Sequence, residues 1–108
     1  MKYKIKYLPA FPADRDLIKA HLSRFYEGTE KRFFTLVRKK IKQLSDFPLM
    51  YPVFEIDPDY RKMVIGDYLL FYIVDEDNKT VEIHRIFHGS QDIHTEFKTM
   101  YSKNINRK

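Results

Sequence analysis

Two short stretches of the sequence combine cations with a histidine in a way that suits phosphodiester chemistry. Arg61 and Lys62 stand at the start of one β-like run, and Arg85 and His88 stand at the end of another. Guanidinium and ammonium groups bind a phosphate and stabilise the charge that builds up on it, and an imidazole moves protons near neutral pH. These four residues form the candidate site if an antiparallel meander brings them to one end of a sheet.

The same arginines also have an ordinary structural explanation. Arg61 and Arg85 would serve equally well to solubilise strand ends, or to pair with Asp59 and Glu82. The sequence alone leaves both explanations open.

A second group of cations lies on the predicted second helix. Its apolar residues recur three or four positions apart and form one stripe: Phe34, Val37, Ile41 and Leu44. At about 100° per residue, the basic residues cluster on the opposite side: Lys31, Arg32, Arg38, Lys39 and Lys42. This basic band is either a solvated face or a surface that steers the domain to RNA or an acidic partner. On the second interpretation the RNA-binding residues are Arg38, Lys39, Lys42 and Lys62.

Metal and cofactor chemistry has little support in the sequence. His84, His88 and His94 fall within eleven positions, but strand residues four apart lie about 13 Å from each other, too far for one ion. The chain has no cysteine, which excludes disulfides, thiol catalysis and thiolate metal sites. Its glycines are isolated, so no phosphate-cradling loop is present. We expect no metal and no cofactor.

Length and composition limit the class of protein. The 108 residues make one domain, and the 9 Phe and 8 Tyr supply a dense core. The net charge of +5 favours a polyanionic partner, which can be nucleic acid, an acidic protein or a membrane surface. No apolar run reaches the roughly 20 residues that span a bilayer, and the charged N-terminus has no signal-peptide core. A cytoplasmic protein is expected.

The hydrophobic periodicity places the candidate residues on an α+β domain of order β-α-α-β-β-β. Alternating apolar and basic residues predict a first strand over 3–8. A helical hairpin follows, with Asp14 and Thr29 as expected N-caps and Gly28 as the end of the first helix. Three later runs predict the strands of an antiparallel meander with a buried middle strand: 60–65, 68–74 and 80–87.

Two further segments complete the predicted organisation. Residues 46–59 form a proline-containing loop whose apolar members should pack over the core. Residues 91–101 have the spacing of a short terminal helix, so the single domain is predicted to cover 1–101 and to leave a polar tail over 102–108.

Several segments, taken in order, resemble those of a known family. They are the lysine-rich first strand, the hairpin end Ile41-Lys42-Gln43-Leu44, the pair Phe47-Pro48, the strands within 60–75, and the run over 81–92. In this order and spacing, over residues 3 to about 97, the chain resembles the RelE/ParE superfamily of type II toxins. The resemblance implies a helical hairpin packed on a small antiparallel sheet, and a toxin neutralised by a cognate antitoxin.

The resemblance also implies two alternative activities. One branch of the superfamily cleaves mRNA in the ribosome without metal, by attack of the 2′-hydroxyl on the adjacent phosphate. The other branch inhibits DNA gyrase and has no nuclease activity. Arg61 matches the arginine that opens the second strand in this superfamily, and Arg85 and His88 match its last strand and the residues that follow.

The chain departs from the nuclease pattern at three positions. Leu69 stands where that branch usually has an arginine, and Ser90 and Gln91 stand in place of two arginines of the terminal run. These departures remove cations from the phosphate site and leave Arg61, Arg85 and His88 as its catalytic residues. A ribosome-dependent endoribonuclease is the first functional hypothesis, gyrase inhibition is the second, and a relic that still binds its antitoxin is the third.

Overall fold

A computed structural model of the chain describes residues 2–25 and 27–89, and these form two helices and four strands in the predicted order. The elements are β1 (Lys4–Tyr7), α1 (Ala10–Leu22), α2 (Thr29–Gln43), β2 (Arg61–Ile65), β3 (Tyr68–Asp75) and β4 (Thr80–His88). The α+β class is confirmed. The predicted helix over 91–101 and the tail over 102–108 lie outside the described residues.

The four strands form one sheet in the order β1-β4-β3-β2. The last three strands make the predicted antiparallel meander, and β1 joins β4 in parallel, with Ile5 beside Val81. The sheet is therefore mixed rather than purely antiparallel. The apolar run of β3 lies in its interior, where Leu70 and Phe71 are fully buried on opposite faces, as a run without alternation predicts.

Apolar residues cover both faces of the sheet, so the domain has two clusters of core residues. The helices bury their stripe on one face, where Val37, Ile41 and Leu44 pack with Met63 and Tyr72. The loop between α2 and β2 covers part of the opposite face, here called the open face, where the cluster consists of Phe54, Tyr60, Phe71, Ile73 and Phe87. Neither helix is long and apolar enough to cross a membrane within the described residues.

The ends of the helices differ from the prediction. α1 begins at Ala10, after Pro9, so Asp14 lies inside the helix and is not its N-cap. Pro12 is tolerated there because the first-turn N–H groups have no acceptor within the helix. α1 ends at Leu22, and Gly28 is instead the N-cap of α2, with a φ of 84° that glycine adopts without strain. Thr29 is the first helical residue rather than the cap.

β4 carries one extra residue opposite β3. Phe71 pairs with Arg85 and Tyr72 pairs with Ile83, which leaves His84 as a bulge between two regular stretches of the ladder. A bulge redirects the side chains of the strand that contains it. Here it turns His84 toward Tyr60 on the open face and sets the position of Arg85.

Candidate functional site

Two of the predicted site residues share one row of the open face. Lys62 and Arg85 are both Cα partners of Phe71, on either side of it, so their backbones are separated by two strand spacings of roughly 5 Å each. The Lys62 ammonium lies 5.6 Å from the centre of the Phe54 ring, and the Arg85 guanidinium carbon lies 5.4 Å from that of Phe87. Both cations therefore lie over aromatic rings at the two sides of the cluster.

Arg85 is held by a carboxylate of α1. Its Nε and Nη2 donate to the two carboxylate oxygens of Asp14 at 2.6 and 2.9 Å, and the backbone N–H of Ile86 donates to the same carboxylate at 3.0 Å. Asp14 is only 6% exposed. The arginine does pair with an acidic residue, but the partner is neither Asp59 nor Glu82: it is a helix residue 71 positions away. This bidentate pair fastens α1 to β4.

Arg61 anchors the loop that precedes it. Its Nη1 donates to the backbone carbonyl of Tyr51 at 2.7 Å and to that of Leu49 at 3.4 Å. Its Cα partner across the ladder is Tyr72, whose hydroxyl donates to the carbonyl of Pro48 at 3.0 Å. The two side chains donate to three backbone carbonyl groups of the loop, which explains how the loop stays packed on the sheet.

The buried phenol of Tyr72, which is bonded to this loop, gives the fold a measurable pH dependence. Burial raises the pKa of Tyr72 to about 12, although the nearby Arg61 guanidinium acts in the opposite direction. An unfolded tyrosine ionises near pH 10, so the stability that the neutral phenol contributes is intact below that pH and is lost as pH rises toward 12. Between about pH 9 and 11.5 the free energy of unfolding, measured with urea, should fall in both proteins. We expect the fall to be about 1–2 kcal/mol smaller in Tyr72→Phe than in the wild type. Parallel curves for the two proteins would contradict this.

His88 lies at the far end of the sheet from Arg61. Its ring stands edge-on to that of Tyr68, with 5.2 Å between the centroids, and Tyr68 is its Cα partner. Arg61 is instead level with Tyr72, four residues along β3, a distance of about 13 Å. Because β2 and β4 both run antiparallel to β3, they are parallel to each other. The start of β2 and the end of β4 therefore lie at opposite ends of the sheet. The expected meeting of Arg61, Lys62, Arg85 and His88 does not occur.

A polar network that the sequence did not indicate lies under the loop. His84 is 2% exposed, and its Nδ1 lies 3.2 Å from the hydroxyl of Tyr60 while its Nε2 lies 3.1 Å from Oε1 of Glu82. Both ring nitrogens therefore have partners, as a buried imidazole requires. The spacing of Glu82 and His84 could have indicated their contact, because residues two apart in a strand share a face. The contact with Tyr60 had no such signal, because Tyr60 lies outside the strand. The network ties the loop to β4.

The basic band of α2 is solvent-exposed, as its helical spacing predicted. Lys31, Arg32, Arg38, Lys39 and Lys42 are all exposed, opposite the buried stripe of the same helix. Arg38 also acts electrostatically on the phenol of Tyr7 at the end of β1: burial raises the pKa of Tyr7, and Arg38 and Arg15 partly offset that rise. The band thus extends toward the edge of β1.

The turn between β3 and β4 is negatively charged, in contrast to the basic band. An open cleft of about 370 Å³ there is lined by Ile73, Val74, Asp75, Glu76, Asp77 and Glu82. Hydrogen bonds from Asn78 hold the pKa of the Asp75 carboxyl below its usual value. Across residues 2–25 and 27–89, no three histidine, aspartate or glutamate side chains are grouped so that they could hold a metal ion. A negatively charged cleft repels a phosphodiester, so an anionic ligand would approach the basic band of α2 instead.

Comparison of the sequence with family models gives one match over most of the chain. Residues 5–93 match the model described as the ParE toxin of the type II toxin–antitoxin system parDE. No curated protein matches the sequence.

Several solved structures of toxins and toxin–antitoxin systems have a similar fold. The toxin–antitoxin complex RelBE2 of Mycobacterium tuberculosis matches with 20% identity and a TM-score of 0.58, over 82% of this chain and 99% of the other. The chromosomal ParDE system of P. aeruginosa matches with 19% identity and a TM-score of 0.58, over 81% and 96%. The isolated RelE toxin of E. coli matches with 14% identity and a TM-score of 0.59, over 97% of each chain. At these identities the likeness shows a common fold.

Proposed function

The chain belongs to the ParE toxin family of type II toxin–antitoxin systems, and from that membership we propose that it stops growth by binding DNA gyrase rather than by cutting RNA. Its partner in the resting cell is a cognate antitoxin. The similar structures of the RelBE2 complex and of the ParDE system, both toxin–antitoxin assemblies by their descriptions, support that partner.

The observation that carries this proposal is that both arginines of the expected catalytic set are engaged in the fold. Arg85 is bound to Asp14 at 2.6 and 2.9 Å, and Arg61 is bound to the carbonyl of Tyr51 at 2.7 Å. Phosphate stabilisation requires donors aimed at the position where charge develops. To serve a scissile phosphate, each arginine would first have to leave a partner that holds two elements of the fold together.

The basic band supports a target that carries negative charge. Its exposed cations have the arrangement expected of an electrostatic steering surface. A gyrase–DNA complex presents a large negative field, which attracts a basic surface. A toxin that acts by binding needs this electrostatic attraction but needs no proton-transfer group. The proposal therefore assigns the band to target association and the arginines of β2 and β4 to the integrity of the fold.

A supercoiling assay with purified gyrase tests the proposal. The antitoxin-free protein is expected to inhibit the introduction of supercoils in proportion to its concentration, and added antitoxin should restore the activity. His88→Ala should inhibit as well as the wild type, because a binding mechanism does not use the imidazole. Supercoiling that continues at full rate in excess toxin would overturn the proposal.

A ribosome-dependent endoribonuclease is the second candidate, and one observation favours it. His88 is half-buried at the end of β4, where its imidazole lies against Tyr68 and keeps part of its surface in solvent. An imidazole in that setting can move a proton. For this candidate His88 is the proton-transfer residue and Arg38, Lys39, Lys42 and Lys62 are the RNA-binding residues, and His88→Ala should abolish toxicity.

A further inference from the structure

A phenol stands at the corner where β1 leads into α1. Tyr7, the last residue of β1, is 47% exposed, and the centre of its ring lies 5.2 Å from that of Phe11 in the first turn of α1. Phe11 is buried in the core, so this contact fixes the position of the phenol at the surface. Within residues 2–25 and 27–89 the hydroxyl of Tyr7 has no hydrogen-bond partner.

One arginine from each helix lies beside this phenol. Arg15 is one helical turn after Phe11, so it neighbours the residue on which the Tyr7 ring packs. Arg38 is one turn after Phe34 on α2, and Phe34 packs in the same core cluster as Phe11. Burial raises the pKa of Tyr7, and both guanidinium groups oppose that rise, which places both charges within electrostatic reach of the hydroxyl. We call Tyr7, Arg15 and Arg38 the corner cluster.

The protein itself offsets little of the positive charge in the corner cluster. Arg38 makes no ion pair with a carboxylate of the described residues, and its Nη2 donates to the hydroxyl of Thr35 at 3.3 Å. Arg15 has one acidic neighbour, because its Nε lies 3.8 Å from a carboxylate oxygen of Asp16, whose side chain is 74% exposed. An exposed pair of this length is weak. Unlike Arg85, both arginines therefore remain available to an anion from solution.

The chemistry of the corner cluster suits a phosphate group in a nucleic-acid backbone. Guanidinium N–H groups match the oxygens of a phosphate, and a phenolic hydroxyl donates one further hydrogen bond to them. Arg38 also belongs to the basic band, so more cations follow along α2. No aromatic side chain of α2 is exposed, and the Tyr7 ring already packs on Phe11. Because bases of a single strand would find no stacking platform there, this surface favours a duplex.

We propose that the corner cluster binds a backbone phosphate of duplex DNA, with Arg15 and Arg38 on the phosphate oxygens and the Tyr7 hydroxyl as a third donor. The rest of the basic band then lies along neighbouring phosphates of the same duplex, a contact that positions the protein without reading sequence. The role of this contact rests on the proposed function, in which the DNA is the segment held by gyrase. The contact itself requires only DNA.

Binding of a short labelled DNA duplex, measured at several salt concentrations, tests the two arginines. Arg15→Ala with Arg38→Ala is expected to raise the Kd about tenfold or more at low salt, and to reduce the slope of log affinity against log salt concentration by about 2, because two phosphate contacts are lost. The matched control is Lys19→Ala with Arg24→Ala, which removes the same charge from exposed positions at the end of α1 and after it. It should raise the Kd less than about threefold and leave the slope nearly unchanged.

Tyr7→Phe tests the hydroxyl separately from the charges. The variant keeps the ring that packs on Phe11 and loses one uncharged donor. Its Kd for the duplex should rise about threefold to tenfold, while the salt slope stays that of the wild type because no charge is removed. Circular dichroism should be the same for all these variants, since the substituted side chains are exposed.

Three results would overturn the corner cluster. They are a wild type that does not bind the duplex, equal losses in the two double variants, and losses that appear with single-stranded RNA but not with duplex DNA. The proposed function fails separately. A wild type that binds the duplex through these residues but leaves gyrase fully active would contradict gyrase inhibition alone. Gyrase inhibition by a toxin whose corner variants bind DNA normally would contradict the corner cluster alone.

Discussion

Replacing Asp14 with asparagine is expected to lower the free energy of unfolding by about 3–5 kcal/mol, the usual result of removing one partner from a buried ion pair. The carboxylate of Asp14 accepts from the Arg85 side chain and from the backbone N–H of Ile86. Loss of its charge leaves the arginine, whose side chain is 15% exposed, without its counterion in a low-dielectric setting. Since domains of this size have about 5–15 kcal/mol of stability, the variant should be only marginally folded. Urea unfolding at neutral pH measures the change.

Asp16→Asn is the matched control for Asp14→Asn. Asp16 lies two positions further along α1, its side chain is 74% exposed, and its nearest cation, Arg15, is 3.8 Å away. An exposed pair of this kind contributes at most about 1 kcal/mol. If both variants lose the same stability, the Asp14–Arg85 pair is not the fastening between α1 and β4 that its geometry indicates.

Reversing two charges of the basic band, Lys39→Glu with Lys42→Glu, is expected to raise the toxin concentration for half-inhibition of gyrase by about tenfold or more at low salt. Both side chains are exposed on α2 and face away from the core, so the fold should persist. The effect arises because steering by a charged surface increases the rate of productive encounter. It should shrink as the ionic strength rises, since salt screens exposed charges.

The control for the band reversal carries the same change in net charge elsewhere on the surface. Lys19→Glu with Arg24→Glu alters exposed cations at the end of α1 and after it. If steering is local to the band, the control should inhibit gyrase nearly as well as the wild type. Equal losses in the two double variants would show that only the net charge of the protein matters.

Much of the fold could be predicted because its elements have strong local patterns. The apolar run 68–74 has no polar alternation and indicated the interior strand β3, and the stripe that includes Phe34 and Val37 indicated the buried face of α2. The start of α1 could not be predicted. Aspartate is a common N-cap residue, but the carboxylate of Asp14 binds Arg85 from inside the helix. That contact joins residues 71 positions apart, and local sequence has no trace of it.

The candidate site was predicted less well, for two physical reasons. The first and third strands of a meander run parallel, so Arg61 and His88 lie at opposite ends of the sheet. In addition, the bulge at His84 changes which side chains of β4 face each surface, and a bulge depends on strand register rather than on residue type. Of the four residues expected to meet, only Lys62 and Arg85 share a row of the sheet. The exposed band of α2 was predicted correctly, because it depends on helical periodicity alone.

Mapping of RNA 5′ ends after induction of the toxin tests the central claim, that this fold acts by binding rather than by cleavage. During growth arrest we expect the 5′ ends within coding regions to match those of uninduced cells. New ends at fixed positions within translated codons, present with the wild type and absent with His88→Ala, would contradict the account and establish the nuclease instead.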